Sequence, residues 1–163
     1  MSAILERIRR AATARPQRLL LPEPTDDRVL RAAERLTRDR IALVTLIGPI
    51  EEARVNARRA GVALGGITLI DSAAGAEIER TAASLAERRG DRLAPADRER
   101  LSRDPLFQAA ARVRAGLADS FVAGATRTTG EVLRASLWLV GTPRALPSAS
   151  CNWAASLTFR LTR

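Results

Sequence analysis

Short apolar runs alternate with longer stretches whose apolar residues recur at helical spacing, and this alternation restricts the fold more than any other feature of the chain. Arg18 to Pro22 (RLLLP) reads as a strand after a break at Pro16. Thr25 is placed to cap a helix that opens with Asp26 and Asp27. Its apolar stripe is Val29, Ala33 and Leu36 with Leu30 nearby, while Arg28, Arg31, Glu34, Arg35 and Arg38 lie mostly off it. Ile41 to Ile47 (IALVTLI) is continuously apolar, as expected of a strand covered on both faces. Gly48-Pro49 then starts a helix with Pro49 in its first position, Glu51 and Glu52 in its first turn and Gly61 as its stop. A third strand, Ile67 to Ile70, ends at Asp71-Ser72 and leads into a helix over Ala74 to Arg89. Three such units in succession predict a parallel sheet with right-handed crossovers and helices on both faces, a three-layer α/β/α domain.

The flanks are less regular. Ile4, Leu5 and Ile8 space a small amphipathic helix at the N-terminus. Residues 90–104 read as a charged surface excursion with a short helix after Pro95, followed by a helix from Pro105 to Ala115 and a turn at Gly116. From Pro143 onward there is no acidic residue and no clean period, so residues 143–163 form a divergent tail behind a domain of residues 1–142. Leu157 to Leu161 is the one stretch there with the pattern of an edge strand.

Asp119 to Arg134 (DSFVAGATRTTGEVLR) carries the candidate chemistry. The apolar run Ser120 to Ala123 delivers the chain through Gly124 and Ala125 to three hydroxyls, Thr126, Thr128 and Thr129. Thr128 with Glu131 three residues on fits a capping box, which leaves other first-turn N–H groups beside the partial positive charge of a helix start. Such an end suits a phosphate, with Arg127 and Arg134 available to fork onto its oxygens. Strand, glycine and capped helix also build any α/β crossover, so the residues alone leave both readings open.

Composition narrows the chemistry. At 163 residues the chain has the size of one domain and can bury a core without disulfides or metals. The net charge of +9 comes entirely from arginine, because there is no lysine. With so few aromatics (3%) to stack on bases, this bias argues weakly for nucleic acid, and no nucleic-acid partner is expected. The absence of histidine removes Ser-His-Asp and Cys-His pairs, and with a single cysteine it removes a zinc site. Without lysine there is no Schiff base and no Walker lysine. Cys151 has no disulfide partner and reads as a small hydrophobe in a reducing, cytoplasmic setting. No run is long enough to span a bilayer, so no membrane association is expected.

LPEPTDDRVLRAAERL at 21–36, LIGP at 46–49 and, above all, DPLFQAAARVRAGLADSFVAGATRTTGEVLRASLWLVGT at 104–142 resemble the phosphate acetyltransferases and their phosphate butyryltransferase relatives. The resemblance spans about residues 16–142 and implies the first of two domains of an isocitrate/isopropylmalate dehydrogenase-like α/β fold. It implies acyl transfer between coenzyme A and phosphate, with acetyl phosphate or phosphate and coenzyme A as substrates and no tightly bound cofactor. Arg134 falls on the family's arginine in its LRP motif and Arg88 on the arginine of its ELRK motif, with Arg89 one position away. Gly124-Ala125 and Thr128-Thr129 match the small and hydroxyl residues of the phosphate-side loop. The site expected from the resemblance is therefore Arg88, Gly124, Thr128, Thr129 and Arg134. Arg127 stands where the family usually has His, and Ala135 where it usually has Pro. The family's distal half, with its catalytic carboxylate, has no counterpart, and no catalytic base is assigned. The expectation is a truncated or frame-shifted acyltransferase fragment that is inactive alone, completed by a missing C-terminal domain or by homo-oligomerisation. The alternative is a non-catalytic phosphate-binding or interaction domain.

Overall fold

The computed structural model describes residues 3–141. The tail from Pro143, with Cys151 and the expected edge strand at Leu157–Leu161, lies outside the described residues. In chain order the elements are α1 (Ala3–Ala14), β1 (Gln17–Leu21), α2 (Asp27–Arg38), β2 (Ala42–Gly48), α3 (Ile50–Ala60), β3 (Thr68–Asp71), α4 (Gly75–Arg89), α5 (Pro95–Ser102), α6 (Pro105–Arg114), β4 (Ser120–Phe121) and α7 (Thr129–Ala135), continued by a π-helical turn over Ser136–Val140.

The four strands are parallel in the order β3-β2-β1-β4. The first strand of the chain is therefore central. Leu20 faces Thr45 on one side and Phe121 on the other. Alternating side chains send Leu21, Val44 and Leu46 into one layer with Leu30 and Ala33 of α2 and Ala57 of α3. Leu20 and Ile47 go to the opposite layer, against Ala109 and Val113 of α6. A third cluster joins Leu85 of α4, Leu101 of α5, Leu106 and Phe107 of α6, Ala135 of α7 and Leu139. The expected three-layer parallel fold is what the chain forms.

Local differences have local causes. Asp26, not Thr25, caps α2: its carboxylate accepts the Arg28 N–H at 2.8 Å, while the Thr25 carbonyl accepts from the Asn56 side chain at 2.9 Å. Pro49 is the N-cap of α3 rather than its first helical residue, since its carbonyl already takes the Ala53 N–H. The stretch 90–104 is more than a surface excursion, because Leu93 and Leu101 are buried among α4 and α6. β2 is covered on both faces only toward its C-terminal end, where Leu46 and Ile47 are fully buried; Leu43 at its start is 60% exposed. The amphipathic α1 forms, yet none of its residues is buried. No helix among the described residues is long and apolar enough to cross a membrane.

Arg18 and Asp119 clamp β1 to β4. The guanidinium forks onto the carboxylate at 2.8 and 3.2 Å, and the Arg18 N–H donates to the same group at 2.8 Å. The side-chain bonds from Arg18 hold the Asp119 carboxyl below its ordinary range, outweighing the upward push of partial burial.

Candidate functional site

In a parallel sheet, ligands meet the crevice outside the carboxyl ends of the strands, at the point where strand order reverses. Here β2 and β3 are laid down on one side of β1 and β4 on the other, so the reversal lies between β1 and β4. The segment 22–24 leaves β1 there, and the loop 122–128 leaves β4 beside it.

The loop turns its amides inward, as an anion site would. The anion it meets is Glu23. One carboxylate oxygen accepts the Gly124 and Ala125 N–H groups at 2.7 and 2.9 Å. The other accepts the Thr126 N–H at 2.6 Å, the Thr126 hydroxyl at 2.7 Å and the Arg127 N–H at 2.8 Å. Glu23 is 5% exposed. Burial pushes its carboxyl upward, but the bonds from the Thr126 hydroxyl and from the Thr126, Ala125 and Gly124 N–H groups together outweigh that and hold it below the ordinary value. With both oxygens engaged, Glu23 is a poor proton acceptor and does not supply the missing base.

The capping box is present as expected. Thr128 Oγ1 accepts the Glu131 N–H at 3.3 Å, and Glu131 accepts from the Thr128 N–H and hydroxyl, both at 2.8 Å. Arg127, expected as a phosphate ligand, is committed elsewhere. It bridges Asp104 at 3.0 Å and Glu131 at 3.3 Å, and Asp104 also caps α6 through the Leu106 N–H. Gly124 and Thr128 thus spend their polar groups on internal acceptors, and Thr129 at the first turn is exposed.

The two arginines expected at the site gather at the other end of α7. The Arg88 Nε donates to the Trp138 carbonyl at 3.2 Å. The Arg134 guanidinium lies 5.8 Å from the Trp138 ring centre, and that of Arg89 only 4.3 Å from it, within cation–π range. Phe107 supports the ring edge-on at 6.2 Å. A side chain at Gly141 would sit 2.9 Å from the Arg88 guanidinium, and the φ of +82° there also favours glycine. Among the described residues Arg88, Arg89 and Arg134 form no ion pair. The Arg89 Nε is buried without a hydrogen-bond partner.

The structure therefore divides the expected site. Gly124, Thr128 and Thr129 form the loop and helix start; Arg88 and Arg134 flank Trp138 near the helix end. At 1.5 Å rise per residue, Thr128 and Arg134 stand about 9 Å apart along the axis. Glu23 and Trp138 were not singled out from the sequence as site residues, and Arg89 entered only as the neighbour of Arg88. An acidic residue between two prolines at a strand end was the visible sign of Glu23, and the i,i+4 spacing of Arg134 and Trp138 that of Trp138. No group of three or more acidic, Cys or His residues is placed to hold a metal among the described residues.

The fold is a parallel α/β domain with an internally anchored loop at the strand reversal and an arginine cluster beyond it. The family model for phosphate acetyl/butaryl transferase matches residues 3–155. The phosphate acetyltransferase of Paracoccus denitrificans is 38% identical over 138 residues, 84% of this chain and 40% of that protein. That of Treponema pallidum is 36% identical over 152 residues, 90% of this chain and 45% of the relative. In structure, the EutD phosphotransacetylase from Staphylococcus aureus superposes with a TM-score of 0.78 at 24% identity, over 89% of this chain and 44% of its own. A phosphotransacetylase from Streptococcus pyogenes gives 0.75 at 27% identity, over 85% and 43%. The chain belongs to the phosphate acetyl/butaryl transferase family. It spans less than half the length of these relatives.

Proposed function

We propose that this chain carries the phosphate-binding half of a phosphate acetyltransferase, whose reaction joins acetyl phosphate and coenzyme A to give acetyl-coenzyme A and phosphate. The observation that carries this reading is the cluster of Arg88, Arg89 and Arg134 around Trp138, three cations with no ion-pair partner among the described residues. Unneutralised guanidinium groups on an aromatic plate suit the phosphoryl oxygens of phosphate, acetyl phosphate or a phosphorylated part of coenzyme A. In the transfer, the carbon–oxygen bond to phosphate breaks and the carbon–sulfur bond forms. The thiol proton leaves with inorganic phosphate, and the cations hold the charge that stays on the phosphate throughout. Coenzyme A enters as a substrate, and Thr129 at the start of α7 is the remaining hydroxyl able to face it or the phosphate. Gly124 and Thr128 serve the site by shaping the loop.

Glu23, the buried carboxylate at the strand reversal, has both oxygens engaged by loop donors and titrates below its ordinary value, and this favours a second reading for the isolated chain: it binds phosphate without turning acetyl phosphate over. Both readings share one test. Trp138 lies against Arg89 and Arg134, so tryptophan fluorescence should report phosphate and acetyl phosphate titrations. Arg134→Ala should weaken binding about ten- to a hundredfold, the loss of roughly 1.5–3 kcal/mol from a charge-assisted hydrogen bond, and Arg134→Lys should restore only part of it. Unchanged binding in Arg134→Ala would remove the phosphate assignment. Acetyl-coenzyme A formation by the 163-residue chain at 1 s⁻¹ or faster, roughly the lower end for enzymes, would remove the binding-only reading.

A further inference from the structure

The crevice between β1 and β4, where a fold of this kind ordinarily receives a ligand anion, is filled by the chain's own carboxylate. Four successive N–H groups, from Gly124 to Arg127, converge on Glu23 with the Thr126 hydroxyl. Parallel N–H dipoles repel one another and need an acceptor to stay together. Glu23 is unusually well prepared to be that acceptor. It stands between Pro22 and Pro24, whose rings fix the backbone on either side, and both prolines are buried. The Pro24 ring rests against Gly48 at the end of β2, so the arm that presents the carboxylate is braced by the sheet itself.

Downstream of this anchor come the Thr128 cap and then α7, a helix of seven residues that carries Arg134. So short a helix has little stability of its own, and its direction is set by the held cap at its start and by Ala135 and Leu139, buried against α4 and α6, beyond it. The route from Glu23 to Arg134 is short: carboxylate, loop amides, capping box, helix. The Asp104–Arg127–Glu131 bridge braces the same cap from the side of α6.

We propose that Glu23 is a positioning residue of the phosphate site, the internal anion that holds loop 124–127 and thereby aims α7 and Arg134. The inference rests on the phosphate-site reading above. Because every donor of the loop is already taken, phosphate does not enter the loop in this arrangement. The loop acts on the ligand only through the helix it places.

Glu23→Gln keeps the shape and removes one acceptor oxygen, so an amide NH₂ must confront at least two of the five donors. Three measurements on the full chain test the proposal: phosphate titration by tryptophan fluorescence, amide hydrogen exchange resolved along the sequence, and circular dichroism as a check on folding. The expected result for Glu23→Gln is unchanged circular dichroism, selectively faster exchange over 124–131 and phosphate binding at least about tenfold weaker. Glu23→Ala in millimolar formate should recover slow exchange and part of the phosphate affinity, because a small carboxylate can occupy the vacated amides. A residue that merely supports the fold would speed exchange throughout and show no formate rescue. Binding by Glu23→Gln within twofold of the parent, or unchanged exchange over 124–131, overturns the proposal. If the parent chain does not bind phosphate, the phosphate-site reading and the positioning role that rests on it fail together. Exchange and formate rescue then decide only whether Glu23 anchors the loop.

Discussion

A methyl group added at Gly48 would lie 2.6 Å from Cγ and 2.8 Å from Cδ of Pro24. Carbon atoms in good contact sit about 3.5–4.0 Å apart, so the overlap is close to 1 Å at two points. Neither partner can yield cheaply. Pro24 is among the most deeply buried residues, its ring has no rotamer to exchange, and it is bonded to Glu23, which five hydrogen bonds hold in place. Gly48 itself has φ +155°, in the region that favours glycine. Overpacking costs about 1–3 kcal/mol and a disfavoured backbone conformation about 1–3 kcal/mol more. Gly48→Ala should therefore lose about 4 kcal/mol, a large part of the roughly 5–15 kcal/mol that holds a domain folded. Urea unfolding followed by circular dichroism reads this as a midpoint lower by about 2 M for a slope near 2 kcal/mol/M. In a Pro24→Ala background the clash is gone, and the cost of Gly48→Ala should fall by at least about 1 kcal/mol. A loss under about 1 kcal/mol in the parent, or an equal loss in both backgrounds, refutes the claim that the ring of Pro24 is braced on the backbone of β2.

Thr128→Ala removes the capping box and should cost about 1 kcal/mol in thermal or urea unfolding, with Thr128→Ser close to the parent; equal losses for the two would show that the hydroxyl is not the cap. Acid should weaken the fold in a defined direction. Glu23 and Asp119 both titrate below their ordinary values in the folded chain, so the unfolded chain takes up protons first. Their contribution is complete above the ordinary carboxylate range and is lost as pH falls through the folded values, below roughly pH 4. A urea midpoint measured between pH 7 and pH 3 should drop less steeply for Glu23→Gln than for the parent, and a parallel drop would argue against the Glu23 contribution.

The sheet and its helices were legible because their signals are local. A run such as Ile41 to Ile47 and the stripe Val29, Ala33 and Leu36 declare strand and helix within one window, and Gly61 marks a helix end through its own backbone freedom. The Thr128–Glu131 cap was legible for the same reason, since both partners lie within one turn. What the local pattern could not show was the acceptor for the loop amides, because Glu23 lies 101 to 104 residues upstream of the groups it binds. Arg127 misled in a related way: a cation beside a helix start reads as a phosphate ligand until Asp104, 23 residues before it, is placed alongside. Arg88 came from the family resemblance and Arg134 from both the helix-start pattern and the resemblance, and the structure adds that they meet at Trp138 rather than at the cap.

The central place of β1 also sets an order of events for a chain made from its N-terminus. β2 and β3 can pair beside β1 soon after they emerge, but the other edge of β1 waits for Ser120 and Phe121. The Arg18–Asp119 clamp closes a loop of 101 residues, a slow and entropically costly step compared with the local pairing that precedes it. Until then one side of the innermost strand presents unpaired backbone groups, the template on which strands of separate molecules join. During synthesis, the half-sheet of β1, β2 and β3 is the species in which aggregation competes with folding, and a ribosome pausing before codon 119 would lengthen its life.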